Sequence, residues 1–124
     1  MVNLYLNQRR IGEVTVVDLK GRVRIVGSTI ALHRSVRCLV DEGKTQILLD
    51  LKGVTDIDSG GLGELISSLR TVTNRGGTFK LVHLTEKLRD LMSITKLLTV
   101  FDISEDESEA LDSFTGEGLK IVAA

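Results

Sequence analysis

Asp56, Asp58, Ser59, Gly60 and Gly61 crowd into six consecutive positions, 56–61, directly ahead of a helical pattern. Carboxylates, a hydroxyl and glycines so close together suit several chemistries, and spacing separates them. A calcium loop opening at Asp56 needs an oxygen ligand at its fifth position and a glutamate at its twelfth. Those positions hold Gly60 and Ser67. A nucleophile elbow needs glycine two residues before and two after the serine, and Ser59 has Ile57 and Gly61 there. The only histidines are His33 and His83, neither near Ser59 in sequence, which disfavours a Ser/His/Asp triad. Gly43-Lys44-Thr45 ends like a phosphate-binding loop, but Cys38 stands where its first glycine belongs, and a helix precedes it where a strand should. A dinucleotide fingerprint fails because Gly61 and Gly63 are followed by Ile66 where the third glycine belongs.

What survives is a serine with glycines at a helix N-terminus. Either Asp58 or Ser59 caps the helix and the glycines let the chain turn, or the same end receives a phosphate on Ser59. Unpaired N–H groups and the positive end of the helix dipole tolerate such an anion. Asp58 would repel it, which suits a modification that breaks a contact surface rather than one that steadies the fold.

The elements around this stretch follow from hydrophobic period. Leu4 and Leu6, then Val14 to Leu19, read as two strands with a turn at Ile11-Gly12 and an end at Gly21. Leu32, Val36, Leu39 and Val40 predict a helix over 28–42, capped by Ser28 and stopped by Gly43. Ile47-Leu48-Leu49 predicts a strand buried on both faces. Leu62, Leu65, Ile66, Leu69 and Val72 predict the next helix, ending at Gly76-Gly77. A strand over 79–84, a helix capped by Thr85, a short strand over 100–103 and an acidic helix starting at Ser104 complete the order β-β-α-β-α-β-α-β-α. This alternation predicts an α/β fold: a mixed, mostly parallel sheet of four to five strands with about four helices. Functional groups in such sheets gather where a strand hands over to the next helix.

Composition narrows the partners. The chain has 124 residues, a formal charge of −1 and few aromatics, three Phe and one Tyr, so neither a polyanion groove nor a base-stacking platform is expected. One cysteine, Cys38, excludes an internal disulfide and fits a reducing cytoplasm. No leader or membrane-spanning run is expected, nor a metal. Residues 3–114 are expected to form a single domain, with 115–124 a loosely ordered tail.

Asp58-Ser59-Gly60-Gly61-Leu62-Gly63 is similar to the Asp-Ser-Ser/Thr-Gly-Leu-Gly motif of STAS domains of the bacterial anti-sigma factor antagonist family. Ile47 to Leu51 and Val54 resemble the family's central strand and following loop, and Val17 to Val23 its first conserved strand end. The resemblance implies the STAS fold and partner switching. The unmodified protein binds an anti-sigma factor that is also a serine kinase of ATPase fold, freeing a sigma factor; phosphorylation of the serine after the aspartate, here Ser59, releases it, and a phosphatase resets it. ATP then belongs to the partner, and the chain itself is no enzyme and needs no cofactor. Two departures stand out. Gly60 replaces the second hydroxyl of many members, and Arg22 and Arg24 stand where Gly-Glu-Leu-Asp is typical, so the partner must compensate a reversed charge. The expected docking residues are Asp56, Asp58, Ser59, Gly60, Gly61, Glu64, Ser67, Ser68, Arg22 and Arg24. No nucleic acid or membrane insertion is implied, and a homodimer is compatible with the reading. The alternative is a STAS module without switching, serving as a scaffold or as a subunit of a lipid or anion transport complex.

Overall fold

The computed structural model describes residues 4–23 and 28–114. The expected tail over 115–124 and the expected docking residue Arg24 lie outside them. Strands β1 (Leu4–Ile11) and β2 (Val14–Val23) form a hairpin; α1 (Ser28–Asp41), β3 (Gln46–Ile57), α2 (Ser59–Asn74), β4 (Thr78–Val82), α3 (Glu86–Ile94) and β5 (Asp102–Ser104) follow. A fourth helix, α4, covers residues 107–114. The sheet runs in the order β1-β2-β3-β4-β5, with only the β1/β2 pair antiparallel.

Because strand order follows chain order, right-handed crossovers put α1, α2 and α3 on one face of the sheet. Val17, Leu19, Ile47, Leu49, Leu51, Phe79 and Leu81 meet Leu32, Val36, Leu65, Val72, Leu88 and Met92 there. The alternate residues point the other way. On that far face Val14, Val16, Leu48 and Val82 are covered by Ala110, Leu111 and Phe114 of α4. Central β3 is therefore apolar on both faces, as its run of Ile and Leu requires.

The turn residues behave as their chemistry demands. Gly12 takes φ 60° in the two-residue hairpin turn, and Gly43 takes φ 84° just past α1. Thr85 Oγ1 accepts the Leu88 N–H at 3.2 Å and caps α3. Several expected boundaries move. Gly21 does not end β2: the strand continues to Val23, and Gly21, at φ 113°, sits beside a register shift instead. Residues opposite one another run Asp18↔Asp50, Lys20↔Gly53, Gly21↔Val54 and Arg22↔Asp56, so β3 carries extra residues at two points. That bulging extends β3 to Ile57, and Val54 lies in the strand, not in a following loop. Ser104 is the last residue of β5; the acidic helix starts later, where Asp106 Oδ1 accepts the Glu109 N–H at 2.8 Å. Ser28 is already inside α1.

Candidate functional site

The bulged end of β3 carries the chain to the sheet's C-terminal edge. Asp56 and Ile57 are still strand; Asp58 is extended at φ −112°, ψ −177°; α2 starts at Ser59. The expected loop over 56–61 is thus a strand end, a cap and the first helical turn. Asp58 Oδ1 accepts the Gly61 N–H at 2.8 Å, and the Asp58 carbonyl accepts the Leu62 N–H at 3.0 Å. Of the two candidate caps the aspartate takes the role. Ser59 is therefore the first helical residue. It is exposed, and its hydroxyl makes no hydrogen bond among the described residues.

With the Gly61 amide held by Asp58, the Ser59 and Gly60 amides head the helix, where its positive dipole end emerges. Gly60 is half-buried and Gly61 buried beneath them. An added oxygen cluster on Ser59 would meet backbone donors on one side and the Asp58 carboxylate on the other.

The remaining expected docking residues divide. Arg22 is exposed and stands in register with Asp56 across the β2/β3 pair. Glu64 is half-buried, with Oε2 3.9 Å from His33 Nδ1 of α1, and Ser67 is half-buried beside it. Ser68 does not belong to the exposed flank: it is fully buried at 0% exposure. The reason is helical spacing, since Leu65, Ser68 and Val72 form one inward stripe of α2. Its Oγ finds no hydrogen-bond partner among the described residues.

One neighbour was not anticipated. Lys87, exposed in the first turn of α3, donates from Nζ to Asp56 Oδ1 at 2.9 Å. Asp56 thus lies between Arg22 on β2 and Lys87 on α3, close in sequence to Ser59. No local signal could have shown this, because the partners are 31 residues apart. Among the described residues, no group of three or more His, Cys, Asp and Glu is arranged to hold a metal ion. No helix among them is long and apolar enough to cross a membrane.

Comparison with known proteins agrees with this architecture. The STAS domain family model matches residues 5–110. The anti-sigma-B factor antagonist of Bacillus subtilis is 32% identical over 88 residues, 71% of this chain and 79% of that protein. The crystal structure of an anti-sigma factor antagonist from Mycobacterium paratuberculosis superposes with a TM-score of 0.78 at 22% identity, covering 89% of this chain and 92% of the other. The Bacillus cell fate determinant SpoIIAA, in its phosphorylated form, superposes with a TM-score of 0.68 at 18% identity, covering 89% and 99%. The chain belongs to the STAS domain family, in which its relatives are named anti-sigma factor antagonists.

Proposed function

We propose that this chain works by partner switching. In its unmodified form it binds an anti-sigma factor that is also a serine kinase of ATPase fold, in the cytoplasm, and so frees a sigma factor. Phosphorylation of Ser59 by that kinase, at the expense of ATP, ends the complex, and a phosphatase restores it. The observation that carries this reading is the exposed Ser59 hydroxyl at the first position of α2, beside a cap that leaves it unused.

Phosphorylation would add a charge of about −1.5 to −2. The helix end accommodates it, so the fold survives, while the docking edge changes from mixed to strongly negative. A dianion facing a partner surface selected for a neutral serine is a repulsive element, and like-charge contacts at interfaces cost several kcal/mol. Arg22 and Lys87 meanwhile call for acidic groups on the partner. The chain acts as a regulatory surface, with catalysis left to the kinase.

The test is intact mass after incubation with the candidate kinase and ATP, with Ser59→Ala as control. One added phosphate in the native chain and none in the variant is expected. Ser59→Asp should bind the kinase at least about tenfold more weakly, and Ser59→Ala within a few-fold of native. Equal affinity of the two variants, with no phosphate gained, would overturn switching in favour of a scaffold or transport-complex module.

A further inference from the structure

The sheet ends differently on its two sides. β5 is only three residues long, whereas β1 is an edge of eight residues that is paired with β2 alone. A long open edge invites another strand, and proteins usually guard one with a proline, lysines, a bulge or short length. β1 has no proline and no lysine, and its register with β2 is unbroken from Leu4 to Ile11. Its two charges are already engaged: Arg9 is bonded to Asp18 and Glu107, and Arg10 Nη2 lies 3.8 Å from a Glu13 oxygen.

The hairpin decides which backbone groups face outward. Ile11 and Val14 flank the two-residue turn and stand opposite one another, so they form the hydrogen-bonded pair that closes it. Bonded and non-bonded pairs alternate from there along an antiparallel ladder. The N–H and C=O groups of Leu6, Gln8 and Arg10 therefore point away from β2, where no strand among the described residues receives them. Side chains alternate as well: Tyr5, Asn7, Arg9 and Ile11 share the far face with Val14 and Val16.

Of the large apolar side chains exposed among the described residues, Tyr5 at 63% and Ile11 at 38% both stand on this face, near opposite ends of β1. A second, antiparallel copy of the strand has a register that satisfies both, with Gln8 opposite Gln8 on a two-fold axis. Tyr5 then lies opposite Ile11 of the second copy, and Ile11 opposite its Tyr5. Asn7 meets Arg9 and Leu6 meets Arg10, so no arginine is set against an arginine, an arrangement that would weaken the pairing. The Arg10 stem instead lies along a leucine. Sliding the register by two residues one way carries Ile11 past the start of the second β1; sliding it the other way sets Arg9 against Arg9. The outward backbone groups of Leu6, Gln8 and Arg10 meet one another in the same register. Backbone and side chains thus select one pairing.

We infer that β1 is a self-association edge: two copies of this chain pair their β1 strands antiparallel about Gln8, joining their sheets through a closed, isologous interface. The inference does not rest on the Ser59 switch. The test is sedimentation of the full chain from about 1 μM to about 1 mM, over which the average mass should rise from one chain towards two. Tyr5→Lys/Ile11→Lys sets lysine against lysine twice, and Tyr5→Glu/Ile11→Glu does the same with glutamates. Each double variant should self-associate at least about tenfold more weakly than native protein. An equimolar mixture of the two sets Lys against Glu at both places and should recover association, which two misfolded variants would not do. Amide exchange gives a second readout: raising the concentration of native protein should slow Leu6, Gln8 and Arg10 and change Asn7 and Arg9, which face β2, much less. A native chain that stays monomeric to about 1 mM would overturn the proposal. So would a native dimer whose variants associate as well as it does, or whose mixture fails to recover, because the contact would then lie elsewhere, as on the exposed Ile94 and Val100.

Discussion

Asp58 and Ser59 are adjacent, and the fold gives them separate duties. Asp58 holds the helix end through the Gly61 amide at 2.8 Å; Ser59 is left exposed. Replacing a capping aspartate with alanine costs about 1 kcal/mol, within a range of roughly 0.5–2. Asp58→Ala should therefore lower the Tm by about 3–5 °C in a chain of this size. Asp58→Asn keeps an acceptor oxygen for the cap while removing the charge beside Ser59, so its Tm should stay near native. The pair separates cap from charge: if both variants lose the same stability, the hydrogen bond is not what Asp58 contributes. Gly63 offers the reverse case. A Cβ there meets nothing within 4 Å, so Gly63→Ala should stabilise α2 by roughly 0.5–1 kcal/mol in a denaturant melt.

At the scale of elements, the turn from α2 into β4 is the least forgiving point. A Cβ on Gly77 would sit 2.2 Å from the Thr45 carbonyl oxygen, which also accepts the Thr78 N–H at 2.9 Å. That backbone cannot retreat without breaking the β3/β4 ladder. Gly77→Ala should lose about 1–3 kcal/mol, towards the upper end, and a denaturant midpoint like that of the native chain would contradict this contact. The element order was legible because each helix has a clear apolar stripe and β3 a continuous apolar run. The length of β3 was not. Leu51, Val54 and Ile57 are all inward but three residues apart, a spacing foreign to a regular strand, because the bulges opposite β2 break the alternation. The hydroxyl and its cap were visible from residue types alone, but Ser68 was misplaced. A polar residue on the inward stripe looks like surface unless position outranks polarity. Lys87 on Asp56 could not be read at all, because such pairs depend on how distant strands and helices meet.

The whole molecule is closed by a connection between its two ends. Arg9 on β1 is bonded to Asp18 on β2 and to Glu107 on α4, a partner 98 residues away. It thereby ties the hairpin to the helix that covers the far face. Hydrogen bonding from Arg9 holds the Asp18 carboxyl below its ordinary range, burial opposing it, and the Asn7 amide adds to the lowering. The same bonds, to Asp18 first and Glu107 second, raise the Arg9 guanidinium well above its usual value, so Arg9 stays charged throughout. Both side chains are about a third exposed, so solvent screening trims the interaction to the order of 1–2 kcal/mol. The sign follows from linkage. Asp18 titrates near 3.9 when unfolded and lower when folded, so its stabilisation is complete above about pH 5 and is lost as pH falls through the folded value. Arg9→Met should therefore lower stability by about 1–2 kcal/mol at pH 7, and the gap between native and variant should narrow below about pH 4. Paired denaturant melts at pH 7 and pH 3.5 measure it directly. A gap of constant size across that window would mean that Arg9 acts through packing of its aliphatic stem and not through the Asp18 carboxylate.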